Sequence, residues 1–310
     1  IVPETKGSIL DIEKSIAFVS ESLTNMDEKL VIEDMDCYEK ASVCENSDKL
    51  VISLQDAEDY LAVDMVYNFK GYEVPVSKEE MASMAYIGKD GKVTVDESKV
   101  KKFVQDFSDK YSTCYTDRKF KTNDKKMILV YGGYYGWQLN PEEEEPLLYE
   151  ALVNREGFNR QFSCEKEGYT YCDLNDIGDN YVEIDLTDQH VYVYENGRKV
   201  YDTPCVSGNV SWGMSTPGGL YPLTYKQRNA TLNGPGYSTP VAYWMPFNGD
   251  IGMHDATWKT KFGEDYYMYD GSHGCINLPL DAAASIYPYV EAGSPVVCYW
   301  EDEVEYIDED

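Results

Sequence analysis

The chain of 310 residues carries 56 acidic against 27 basic side chains, a net charge of −29. That balance excludes a nucleic-acid partner, because a phosphate binder needs a basic face. A hydrophobic fraction of 43% is that of a folded protein, and the length suits two domains of ordinary size. There is no apolar leader and no run of about 20 apolar residues, so no membrane span is expected. The chain starts at Ile1 as if trimmed, with an upstream anchor or signal expected to have been removed.

Residues 8–31 read as a helix, since Ile9, Ile12, Ile16, Val19 and Leu23 recur at helical spacing. Leu50, Val51 and Ile52 read as a short strand, with Asp56 to Glu58 starting a helix after it. Val63 to Phe69 alternates as a strand, Lys78 to Met84 is a helix, and Asp96 caps a helix carrying Val100, Phe103, Val104 and Phe107. Met127 to Tyr131 is a strand, and Glu142 to Glu145 place negative charge where a helix N-terminus favours it. These elements make a mixed α+β domain over residues 1–172. The stretch 162–179 is polar and glycine-broken, so the boundary is set at 172/173.

From residue 173 to 310 the pattern is β. Tyr181 to Leu186, His190 to Tyr194 and Val200 to Val206 alternate as strands, and Asn196-Gly197 is the dipeptide of a two-residue hairpin turn. Leu220 to Leu223, Val241 to Met245 and Val296 to Trp300 follow, with a short helix at Leu280 to Tyr287 and an acidic tail that should fray. Many short strands between glycine and proline turns mean a mainly-β domain, a sandwich or barrel. Of eight cysteines, Cys37/Cys44 and Cys164/Cys172 are spaced as small disulfide loops would be, and Cys205 with Cys298 is a further possible pair.

Chemistry concentrates at Gly271-Ser272-His273-Gly274-Cys275-Ile276-Asn277, preceded by His254 with seventeen residues between His254 and Ser272. Two of the chain's three histidines frame this one cysteine. A thiol with an imidazole nearby reads as an activated thiolate, and the glycines let backbone N–H groups aim at a substrate carbonyl. His190 lies apart and reads as structural. A metal site from His254, His273 and Cys275 would lack a fourth ligand, so neither metal nor other cofactor is expected. Papain-like and NlpC-type peptidases place histidine after the cysteine, and no histidine follows Cys275. Sortases need an arginine after it, and the last arginine is Arg228.

His254, its spacer and Ser272-His273-Gly274-Cys275-Ile276-Asn277 resemble the signature of L,D-transpeptidases with the YkuD fold. Glu183-Ile184-Asp185-Leu186, Cys205-Val206-Ser207-Gly208 and Thr216-Pro217-Gly218-Gly219 resemble neighbouring blocks of that family, over about 180–302. Residues 55–157 more weakly resemble the domain called peptidoglycan-binding that precedes the catalytic module in some Gram-positive members.

The resemblance implies a cell-wall enzyme outside the membrane, acting on peptidoglycan stem peptides as acyl donor and acceptor. Cys275 would attack the third residue of a tetrapeptide stem, expel D-alanine, and pass the thioester to an amine to give a 3→3 cross-link. His254 fits the base, and Asp255, Ser272 or a backbone carbonyl could fix its tautomer. N–H groups around His273, Gly274 and Cys275 would hold the oxyanion, with Asn277 fixing the following turn. Trp258 and Tyr243 are candidates for the substrate groove, whereas Met253 reads as core. Carbapenems, to which the family is sensitive, would be covalent inhibitors. Two alternatives stand beside this reading: an L,D-carboxypeptidase, in which water takes the acyl group, and a non-catalytic wall-binding protein.

Overall fold

A computed structural model describes residues 7, 9–31, 36–39, 44, 47–171, 175–234 and 237–308. Cys172 and the 172/173 boundary lie outside them. The chain divides into two compact units interleaved in sequence, one of residues 1–65, 76–100 and 148–157, the other of 66–75, 101–147 and 158–310.

The first unit is mainly helical. Ile12–Asn25 is capped by the Asp11 side chain and ends on Met26 in the left-handed region. Leu50 to Ile52, read as a strand, lie instead inside the helix Asp48–Leu61. A run of three aliphatic residues is too short to separate the two periods, and here Val51 and Ile52 point to solvent. Lys78–Ser83 opens with a reciprocal capping box between Ser77 and Glu80.

The second unit is built around two sheets. One orders its strands as Arg198–Pro204, His190–Glu195, Tyr181–Asp185, Pro295–Tyr299 and Gly219–Pro222. The other orders them as Gln227–Gly234, Tyr237–Asn248, Ile251–Asp255 and Ile276–Leu278. Alternation sends Val182, Ile184, Val191 and Val193 into one core with Met245, Phe247, Met253, Ile276 and Leu278 from the second sheet. The Asn196-Gly197 turn forms as read, with both residues at positive φ. Cys205 and Cys298 are free thiols in this core, and Cys37 and Cys164 are also free, so these cysteines form no disulfides.

The outer face of the five-stranded sheet is not left to water. The hairpin of Arg118–Lys121 and Met127–Val130 covers it, packing Phe120, Ile128 and Val130 against Leu220, Val297 and Tyr299. The acidic tail, expected to fray, instead adds Glu305–Tyr306 as a strand beside Met127–Val130. Two backbone pairs and the Tyr131 hydroxyl, which donates to Glu305 at 2.8 Å, hold it there. Among the described residues no helix is long and apolar enough to cross a membrane.

Candidate active site

Two strands bring the ends of the motif together. Ile251–Asp255 and Ile276–Leu278 pair in parallel, with His254 opposite Asn277. Parallel neighbours need a long crossover, and the spacer between His254 and Ser272 supplies it. Cys275 immediately precedes the second of these strands.

Backbone bonds fix the cysteine loop. Asn209 N–H donates to the Ser272 carbonyl at 2.8 Å, and Ser272 N–H donates to the Ser207 carbonyl at 3.0 Å. Thr216 Oγ1 donates to the Gly274 carbonyl at 2.7 Å. A Cβ on Gly208 would sit 1.9 Å from the Met214 carbonyl oxygen and 2.9 Å from Gly274 Cα, so only glycine permits this approach. Ser272 Oγ accepts Gly274 N–H at 2.9 Å and donates to the Cys275 carbonyl at 2.6 Å. It braces the loop, and it takes the Gly274 N–H out of the expected set of oxyanion donors.

Cys275, His254, Ser272, His273 and Asn277 line one cavity of about 280 Å³. Trp258 forms part of its wall, and Leu232, Thr239, Lys259, Asp270 and Gly271 complete it. The structure does not bring Tyr243 there: its ring packs edge-on against Tyr287 with the Arg228 guanidinium 4.3 Å above it. Tyr243 instead reaches the site through its N–H, which donates to Asp255 Oδ1 at 2.7 Å. Leu232 and Thr239 belong to a hairpin of which sequence reading found only the second strand. Alternation of Ala230 and Leu232 before Asn-Gly-Pro-Gly at 233–236 was the available signal.

His254 is 4% exposed, with Trp244 and Trp258 ring centroids each 5.9 Å from its own. Burial lowers its pKa. Nδ1–H donates to the Asp255 backbone carbonyl at 3.0 Å, an acceptor only, so the lone pair of the neutral ring resides on Nε2. Asp255 thus meets the imidazole with its backbone while its carboxylate holds Tyr243.

Cys275 departs from the standing thiolate that the sequence suggests. Burial pushes its pKa up to about 11, although the Gly252 N–H favours the thiolate. Its Sγ–H donates to the Asp250 carbonyl at 3.5 Å. At neutral pH the resting pair is a thiol and a neutral imidazole. His273 is exposed, with the Trp212 ring 6.1 Å away. Among the described residues no group of three His, Cys, Asp or Glu side chains is placed to hold a metal.

Comparison with known proteins accords with this geometry. The model of the YkuD L,D-transpeptidase catalytic domain matches residues 179–298, and that of a domain described as peptidoglycan binding matches 46–160. No curated protein sequence matches the chain. The structure is similar to a cysteine-to-serine mutant of the Enterococcus faecium L,D-transpeptidase, at 31% identity and TM-score 0.68, covering 80% of this chain and 99% of that one. It is equally similar to the Ldtfm–avibactam carbamoyl enzyme, at 31% identity and TM-score 0.68, with 81% and 98% covered. With nearly the whole of such an enzyme spanned, and the YkuD match lying over the cavity itself, this chain belongs to the L,D-transpeptidase family.

Proposed function

We propose that the chain is a peptidoglycan L,D-transpeptidase that forms 3→3 cross-links through a thioester on Cys275. The observation that carries this reading is the shared cavity, lined by the Cys275 thiol and by an imidazole whose Nδ1–H is tied to the Asp255 carbonyl, leaving its lone pair on Nε2. His254 takes the thiol proton as sulfur attacks the carbonyl of the third stem residue. The carbon–nitrogen bond then breaks, and the proton leaves on the amine of D-alanine. A side-chain amine of a second stem attacks the thioester, gives its proton to His254, and the thiol is restored. A base acting in this way contributes roughly 10²- to 10⁴-fold.

The same thiol is the target we assign to carbapenems, and the carbamoyl enzyme that avibactam forms with the relative supports acylation chemistry of this kind. Residues 1–172 act as a wall-binding or spacer region of an exported protein that works outside the membrane of a Gram-positive cell. The match of residues 46–160 to a domain described as peptidoglycan binding supports that part of the reading.

Mass spectrometry of products from a purified disaccharide-tetrapeptide tests the proposal. The expected product is a dimer lacking one D-alanine. Tripeptide alone would make the protein an L,D-carboxypeptidase, and unchanged substrate with intact wall binding would make it a non-catalytic wall protein.

A further inference from the structure

We propose that Lys259 recognises the terminal carboxylate of the acyl donor and so confines the enzyme to removing a single C-terminal residue. The inference rests on the reading of Cys275 as the acyl-carrying nucleophile.

Lys259 lines the same cavity as Cys275 and His254, and it is the one Lys or Arg among the described residues that do. Its side chain is only 7% exposed, whereas that of Lys102 on an outer helix is 74% exposed. The ammonium donates to Asp270 Oδ2 at 2.8 Å and to the Asp270 backbone carbonyl. Both acceptors belong to one residue, and an ammonium has three donors, so one remains for a ligand. Asp270 itself is 68% exposed. Asp270 also lines the cavity, so the pair is near neutral there, and what the wall offers a carboxylate is the remaining ammonium proton.

A donor with one residue beyond the scissile bond carries its carboxylate carbon about 4 Å from the attacked carbonyl carbon. A cavity of about 280 Å³ is small enough that a group bound at Cys275 brings this carboxylate to the wall. In a chain of net charge −29, such a ligand needs a cation at that point. A longer stem would place a neutral peptide bond there and gain nothing from Lys259.

The test compares the full chain and its Lys259→Met variant on a tetrapeptide stem and on the same stem with its C-terminus amidated. The wild type should prefer the free acid by about 10- to 100-fold in kcat/KM, the worth of one charge-assisted hydrogen bond. Lys259→Met should erase that preference mainly through a higher KM for the free acid, so that the two donors react at similar kcat/KM. Equal losses on both donors would reduce Lys259 to a tie on the end of helix Tyr266–Asp270 and overturn the inference, as would a wild type indifferent to the carboxylate. Asp270→Asn retains the lysine and should strengthen the preference, which keeps the inference exposed if Lys259→Met does not fold; an unchanged or weakened preference would overturn it. Absence of acylation by either donor in the wild type would overturn the nucleophile assignment itself, and with it this one.

Discussion

The two sheets of the second unit each bury ionisable side chains, to different ends. On the outer face of the five-stranded sheet, Glu183 and Asp185 are closed off from solvent, and Tyr299 Oη lies 2.9 and 3.1 Å from their carboxyl oxygens. One phenolic proton serves only one carboxylate well. The second is satisfied if Glu183 is protonated and donates to the phenol oxygen while the phenol donates to Asp185. Burial accordingly raises Glu183 to about 7, and its Oε2 has no partner among the described residues. In the four-stranded sheet, burial likewise holds Cys275 and His254 neutral, but beside a cavity. Desolvation alone stores a neutral group; the pair beside the cavity is the one the proposed acyl transfer would use, with the proton passing from Sγ to Nε2 as the new bond forms.

The sharpest way to break this contrast is to remove the thiol. Cys275→Ala should abolish both cross-linked product and carbapenem adduct, and survival of either in the variant would place the chemistry elsewhere. His254→Ala should keep the thiol but slow acylation roughly 10²- to 10⁴-fold, read from stopped-flow adduct formation.

Next in size is the reactivity of the resting thiol. Alkylation of Cys275 by iodoacetamide should rise about tenfold per pH unit from 7 toward a pKa of about 11. Fast, pH-independent alkylation at pH 6 would instead reveal a thiolate–imidazolium pair and contradict the neutral site.

The closed cluster has its own signature. Glu183 moves from an ordinary 4.5 to about 7 in the fold, so the unfolded chain loses its proton first. Stability should therefore fall by about 3 kcal/mol as pH rises from 4.5 to 7 and then level off. Urea titrations of Glu183→Gln should lack that slope, and an unaltered slope would show that Glu183 is ionised throughout.

The smallest effect concerns the wall of the cavity. Trp258→Ala should admit water to His254 and move the acid limb of the acylation profile up, toward the ordinary histidine value. An acid limb that stays in place would remove Trp258 from the desolvating shell.

Much of the fold was legible because local pattern and packing agree: Val191 and Val193 alternate into the core, and Asn196-Gly197 turns the hairpin. The motif around Cys275 was legible in its residue types, with two of three histidines framing one cysteine, whereas the parallel strand pair that explains the spacer was not. What escaped the sequence depends on distant partners. Gln227–Gly234 is mostly polar and gains its place from pairing with Tyr237–Asn248. Glu305–Tyr306 is acidic and gains its order from the strand Met127–Val130 and its neighbours Lys126 and Tyr131. The protonation state of Cys275 follows from burial and from the Gly252 and Asp250 backbone, none of which a motif records. Tyr243 sits next to Trp244 in sequence, yet its ring turns to Tyr287 and away from the groove.

The central claim is that Cys275 carries the acyl group. Intact-mass measurement of the full chain after rapid mixing with a tetrapeptide stem tests it most directly. The prediction is a mass gain equal to the stem less D-alanine, mapping by proteolysis to the peptide that contains Cys275. No adduct, or an adduct on another cysteine, would contradict it.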